Sequence, residues 1–185
     1  MNEIPQILEK KEKIIWDGIP KYAPYMISAV VISLFFGLFI GFWTGGFFMN
    51  PLLGLLLGLM VIIFGYIIGH LAYKFTHYAL TNKRVIIQTG IFGRNFKQVN
   101  YDDIKNASVV RGLINWIFGT GTVHVFTGEM QSTGGKHSQI KPKYDSFKYI
   151  LDAYAVLKKL QENLTEMEEG LYGGKNVTRN VRVVE

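Results

Sequence analysis

Residues 22–73 contain no Asp, Glu, Lys or Arg, and Lys21 and Lys74 stand at the two borders of this run. No other feature limits the fold as much. A helix that crosses a bilayer needs about 20 consecutive apolar residues, and the run is long enough for two. It breaks near its middle at Trp43-Thr44-Gly45-Gly46 and Asn50-Pro51, residues that end one helix and start another. The expectation is a spanning helix over residues 25–43, a short connection, and a second spanning helix over 52–73. A water-soluble alternative would have to bury this whole apolar hairpin, and the rest of the chain has nothing able to wrap it.

The basic residues give an orientation. Lys10, Lys11, Lys13 and Lys21 precede the first span, Lys74, Lys83 and Arg84 follow the second, and the connection has none. Lys and Arg near helix ends mark the cytoplasmic side, so a multi-pass plasma-membrane protein with both termini in the cytoplasm is expected. Glu3, Glu9, Glu12 and Asp17 cancel the four lysines before the first span, but acids weigh little in that rule. A cleaved signal peptide fits poorly, because the apolar run starts late, is too long and lacks a small-residue cleavage site. The formal excess of +6 therefore lies after the second span. A basic surface beside a bilayer suits anionic headgroups, although the positive-inside bias alone would also produce it. The chain has no cysteine, which excludes disulfides, thiolate nucleophiles and cysteine-based metal sites.

Residues 1–24 form a juxtamembrane segment in this reading. Ile4, Ile7 and Leu8 show a weak helical pattern. Ile14-Ile15-Trp16 has strand propensity and is closed by Gly18 and Pro20. This stretch either lies at the interface as an aromatic anchor with Tyr22 or joins a cytoplasmic sheet. Within the spans Gly37 and Gly41, Gly54 and Gly58, and Gly65 and Gly69 are spaced by four. Such pairs pack the two helices together or pair the protein with itself. His70 reads as an interfacial side chain, since a proton relay would need further intramembrane ionisable groups.

From Phe75 onward the chain turns into short β-rich runs. Strands are expected at residues 75–80, 84–89, 94–101, 105–111 and 122–127, with Val85 and Ile87 on one face. Residues 113–118 form an apolar turn or short helix, 128–136 an exposed loop, and 137–141 a last short strand. Asp145 is a candidate helix N-cap. Phe147, Leu151, Tyr154, Leu157 and Leu160 then recur at helical spacing, which predicts an amphipathic helix to about Asn163 whose apolar face covers the sheet. Residues 164–185 are expected to be a flexible tail. The fold class is thus a membrane α-helical hairpin, residues 25–73, followed by a β-rich domain over 74–163. Its antiparallel strands form a sandwich or partly open barrel capped by the C-terminal helix.

The run Tyr78-Ala79-Leu80-Thr81-Asn82-Lys83-Arg84-Val85-Ile86-Ile87-Gln88-Thr89-Gly90-Ile91-Phe92 resembles the opening of the pleckstrin-homology-like (PH-like) domain of bacterial membrane proteins of the YdbS/YdbT type. Tyr101-Asp102-Asp103-Ile104, the stretch from Arg111 to Val123, and the segment from Glu12 to Pro20 before the helical hairpin continue the resemblance in order. It covers roughly residues 10–160. It implies a PH-like fold on a two-helix anchor and no catalytic residues.

No residue set points to chemistry. Gly119-Thr120-Gly121 lacks phosphate-loop spacing and reads as a tight turn into a strand. His77, His124 and His137 lack metal-ligand spacing, and Asp102-Asp103 reads as a turn. Neither cofactor nor metal is expected. Arg84, Arg94, Lys97, Lys105 and Arg111 lie on or beside strands, as a solvated face or as a patch for headgroups or an acidic protein. Arg84, Arg94 and Lys97 are the candidates for one membrane-facing patch, and Ile114 and Trp116 for a rival apolar protein-docking groove. No recognition motif supports nucleic acid. Asn106-Ala107-Ser108, Asn163-Leu164-Thr165 and Asn176-Val177-Thr178 match the glycosylation pattern but would face the wrong side. The leading function is a membrane-anchored binding or scaffold module that docks a partner protein or lipid headgroup. The alternative is an accessory subunit of a transport or secretion assembly. An enzyme ranks below both, for want of a nucleophile, base and orienting group.

Overall fold

The computed structural model describes residues 2–47, 49–91, 93–132, 134 and 140–172. Strand β1 (Ile14–Gly18) leads into helix α1 (Tyr22–Phe47), and helix α2 (Pro51–Phe75) leads into strand β2 (His77–Thr81). β1 and β2 pair antiparallel, with Gly18 opposite Tyr78 and Ile14 opposite Thr81. The helical hairpin is therefore an excursion spliced between two paired strands. Adjacent strands lie about 4.8 Å apart, so both helices leave the sheet side by side.

α1 and α2 have 26 and 25 residues, each long and apolar enough to cross a membrane. At 1.5 Å per residue they extend about 38 Å. Asn50 caps α2 by accepting the Leu53 N–H, and Pro51 occupies its first turn, where a missing N–H costs nothing. The helices meet through small residues. A Cβ added at Gly54 would lie 2.6 Å from the Cα of Gly45, and one at Gly58 would lie 2.7 Å from the Gly37 carbonyl oxygen. The glycines thus pack the two helices against each other. The large side chains point outward, with Phe42 82% exposed and Phe35 67% exposed.

The domain consists of two open antiparallel sheets, not a closed barrel. Sheet A has the order β1-β2-β3-β4, with β3 at Arg84–Thr89 and β4 at Asn95–Asn100. Sheet B has the order β5-β6-β7, with β5 at Asn106–Val110, β6 at Thr120–Ser132 and β7 at Ile140–Leu151. A short helix α3 (Leu113–Ile117) joins β5 to β6, and α4 (Ala153–Tyr172) ends the described chain. Tyr78, Leu80, Val85, Ile87 and Val99 of sheet A face Val109, Val123, Val125, Phe147 and Ile150 of sheet B. Ala153, Val156, Leu157 and Leu160 of α4 cover the same core.

One open reading is decided and three expectations are corrected. The segment before the helical hairpin joins the sheet: Ile14–Gly18 is the edge strand β1, and Trp16 stacks on Phe147 at 5.9 Å. Residues 2–12 cover the outer face of sheet A, where Ile4 packs with Ala79 and Ile86. That second layer explains why β3 reads as a continuous apolar run. Asp145 is no helix cap but a β7 residue opposite Val125. Phe147 is buried on β7, while Leu151 and Tyr154 are 55% and 48% exposed, so these two do not cover the sheet. α4 also continues past Asn163, with Leu164 and Met167 packed on the core. His137, Asn176 and residues 173–185 lie outside the described residues.

Candidate functional site

The register divides the domain into a hairpin end and a far end. β2 runs from His77, beside α2, to Thr81, and β3 returns with Gln88 opposite His77. Arg84 is four residues from Gln88 along β3, about 13 Å toward the far end at the usual strand rise. Arg94 lies at the hairpin end, just before Asn95, which pairs with Thr89. Lys97, opposite Ile87, lies between them. The three basic residues therefore stand at different heights.

Each of them also has an acidic partner. Arg84 is nearly buried, with an Nη 2.8 Å from the Glu12 carboxylate, and Glu12 has a fully buried side chain. Arg84 Nε donates to Glu12 at 3.0 Å, Thr81 Oγ1 donates to it at 2.7 Å, and Arg84 also reaches Gln98 and the Ile7 carbonyl. Burial opposes the Glu12 charge. The hydrogen bonds from Arg84, the Glu9 backbone and Thr81, with the Arg84 charge, outweigh it and hold the carboxyl below its usual range. Arg94 pairs with Glu3, and Lys97 lies 2.7 Å from Asp145.

The hairpin end has a different character. The Lys21 backbone N–H donates to the Tyr149 carbonyl at 2.7 Å, and its ammonium donates to the Phe118 carbonyl at 3.0 Å. Lys21, the last charge before the apolar run, thereby ties the end of β7 and the turn before β6, which lie at one end of sheet B, to the start of α1. The Tyr149 acceptor arises from a bulge: the register passes from Gly121 opposite Ile150 to Val123 opposite Phe147, which leaves one extra residue on β7. Tyr149 takes φ of 55° there, and Asp152 takes 50° at the turn into α4. Left-handed backbone at two non-glycine residues is costly and concentrates strain at this junction.

A cavity of about 540 Å³ opens at the same place. Trp16, Tyr22 and Tyr73 supply aromatic walls, Lys21 and Lys159 positive charge, and Asp17 and Asp152 negative charge. A mixed aromatic and doubly charged lining suits an amphipathic ligand with a polar head. Tyr22 and Tyr25 both contact Tyr73 edge-on, at 5.0 and 5.7 Å, and His70 lies in this aromatic cluster. The sequence pointed to Trp16 and Tyr22 as aromatic anchors but not to Asp152 or Lys159. Only the fold brings the latter two to the hairpin.

Ile114 and Trp116 lie on α3 at the hairpin end but do not line the cavity. Ile114 is half-buried and Trp116 is 73% exposed. His77 and His124 are strand residues. Burial, then the Lys148 charge, lowers the His124 pKa, and its Nδ1 lies 2.8 Å from Ser146 Oγ. Gly119 takes φ of +63° in the turn before β6, and Tyr101–Asp103 is a 3-10 turn. Among the described residues no group of three or more His, Asp or Glu is placed to hold a metal ion.

Searches of curated proteins and of solved structures returned no match. The family model described as Bacterial PH domain matches residues 23–161. That span takes in the helical hairpin, both sheets from β2 to β7 and the first turns of α4, and β1 completes sheet A just outside it. The chain belongs to the bacterial PH domain family.

Proposed function

We propose that this protein is a membrane-anchored binding module of the plasma membrane. In this reading α1 and α2 cross the bilayer, both chain ends lie in the cytoplasm, and the PH-like domain works by docking rather than catalysis. One observation carries it: the apolar helical hairpin is inserted between the paired strands β1 and β2. Two covalent connections side by side, with the ties from Lys21 to sheet B, hold the domain against the start of the hairpin rather than on a loose tether. The cavity at the junction then opens at headgroup level and is the docking site. The glycines are occupied between α1 and α2, so the anchor needs no second copy to bury them.

Single cysteines test the topology, since the chain has none of its own. Gly46→Cys lies at the distal end of α1, where an added Cβ meets nothing within 4 Å, and Ser132→Cys lies at the exposed end of β6. A membrane-impermeant thiol reagent should label the Gly46 variant in intact spheroplasts and the Ser132 variant only after lysis. The opposite pattern would reverse the orientation. Labelling of both before lysis would show that the helices do not span.

A further inference from the structure

α3 presents an apolar face that no other described residue covers. Leu113, Trp116 and Ile117 are 74%, 73% and 60% exposed, and their spacing of three and four places them on one side of the helix. The opposite side is locked inward. Asn115 is buried, accepts the Thr120 hydroxyl at 2.9 Å, and donates to Thr122 Oγ1 at 3.3 Å. With Asn115 held in this way, the helix has one orientation and the indole points out of the domain.

We propose that α3 is a second membrane contact, with Leu113, Trp116 and Ile117 seated in the headgroup–acyl boundary of the bilayer that the helical hairpin crosses. This rests on the membrane-spanning reading above. The height of α3 is fixed by the Lys21 ammonium, which binds the carbonyl of Phe118 directly after the helix. Lys21 is also the last charge before the apolar run and so marks the water-facing limit of the bilayer. One exposed apolar side chain, Leu151, links the segment after α3 to the anchor. Leu151 pairs with Thr120 at the start of β6 and lines the junction cavity with Tyr22 and Tyr73. Tryptophan suits the boundary, because its ring is apolar and its N–H finds a polar partner there. The face holds no charge that would select a protein partner, and such a partner would have to enter between the domain and the lipid.

Contact through both hairpin and α3 fixes the tilt of the domain. It turns the junction cavity toward headgroups and the β6–β7 ribbon away from them. Depth-dependent quenching of tryptophan in the full chain tests this, using phosphatidylcholine–phosphatidylglycerol vesicles brominated either near the headgroup or at mid-chain. The variant Trp16→Phe/Trp43→Phe keeps only Trp116, and Trp16→Phe/Trp116→Phe keeps only Trp43. Trp116 should lose emission, more with shallow than with mid-chain bromine, and adding Leu113→Asp with Ile117→Asp should restore it. Quenching of Trp43 without Trp116 would overturn the α3 contact and leave the spanning helices standing. Quenching of neither would overturn both.

Discussion

The two ends of the domain are stabilised in opposite ways. At the far end Glu12, a charge with no solvent exposure, is enclosed by Arg84 and Thr81, and these bonds set where residues 2–12 cross sheet A. At the hairpin end the polypeptide relies on a tyrosine cluster where α1 and α2 reach the sheet, and farther along the hairpin the helices pack glycine against glycine. The cavity charges at that end line an opening rather than a buried pair, and Lys21 donates to two carbonyls. The difference shows what basic residues after an apolar span signify here. Arg84, Arg94 and Lys97 pair with Glu12, Glu3 and Asp145, Arg84 nearly buried and the other two still partly exposed, so each is at least in part a structural charge.

The largest effect should come from breaking the far end. Arg84→Leu leaves Glu12 buried without its cation, and losing one member of a buried pair costs about 3–5 kcal/mol. Urea unfolding of the full chain in mild detergent at neutral pH should show a loss of that size. The Glu12 pKa is lowered on folding, so its contribution is present above the unfolded value near 4.5 and is lost as pH falls through the lower folded value. The gap between wild type and Arg84→Leu should therefore narrow in acid. A gap of constant size from neutral to acid would mean that Arg84 acts through packing alone.

How much of this was legible in the sequence follows from the range of each signal. The hairpin was legible because a long uncharged run needs no partner to be recognised, and β3 appeared with its observed bounds because Thr81-Asn82-Lys83 and Gly90 punctuate it. β1 could be read only as strand or anchor, since its partner β2 lies beyond both helices. β7 was misread for a physical reason. Phe147 and Leu151 are four apart, which fits a helix face, and the bulge at Tyr149 breaks the alternation that would have marked a strand. The acidic partners of Arg84, Arg94 and Lys97 were not legible, because ion pairing between distant segments leaves no local trace. The exposed face of α3 was visible only in Trp116, since Ile114 is half-buried, and the buried residue that orients the helix is Asn115.

A smaller effect is expected within the helical hairpin. Gly54→Val would drive side-chain atoms into the backbone of Gly41 and Gly45, which cannot swing aside as a side chain could. Overpacking of this kind costs about 1–3 kcal/mol. The helices should separate, which a spin-label distance between the distal end of α1 and the start of α2 would register as an increase. The far-end network should stay intact, with Arg84→Leu costing the same in either background, because distant sites add. An unchanged distance would show that the glycines tolerate bulk and do not set the helix contact.

The smallest effect is expected at Leu151, and it separates the two readings of that residue. A leucine on the buried face of an amphipathic helix would lose about 2–5 kcal/mol on truncation to alanine. Leu160, fully buried on α4, should do so. Leu151 instead ends β7 with more than half its surface exposed, opposite Thr120 and lining the junction cavity. Truncation there removes atoms with few protein neighbours, and such surface changes stay within about 0.5 kcal/mol. Unfolding of Leu151→Ala and Leu160→Ala side by side in mild detergent checks the contrast. Equal losses would mean that Leu151 is covered after all, which would close the apolar path from α3 to the anchor. A negligible loss in detergent, combined with weaker lipid quenching of Trp116 in vesicles, would place Leu151 among the side chains that face the bilayer.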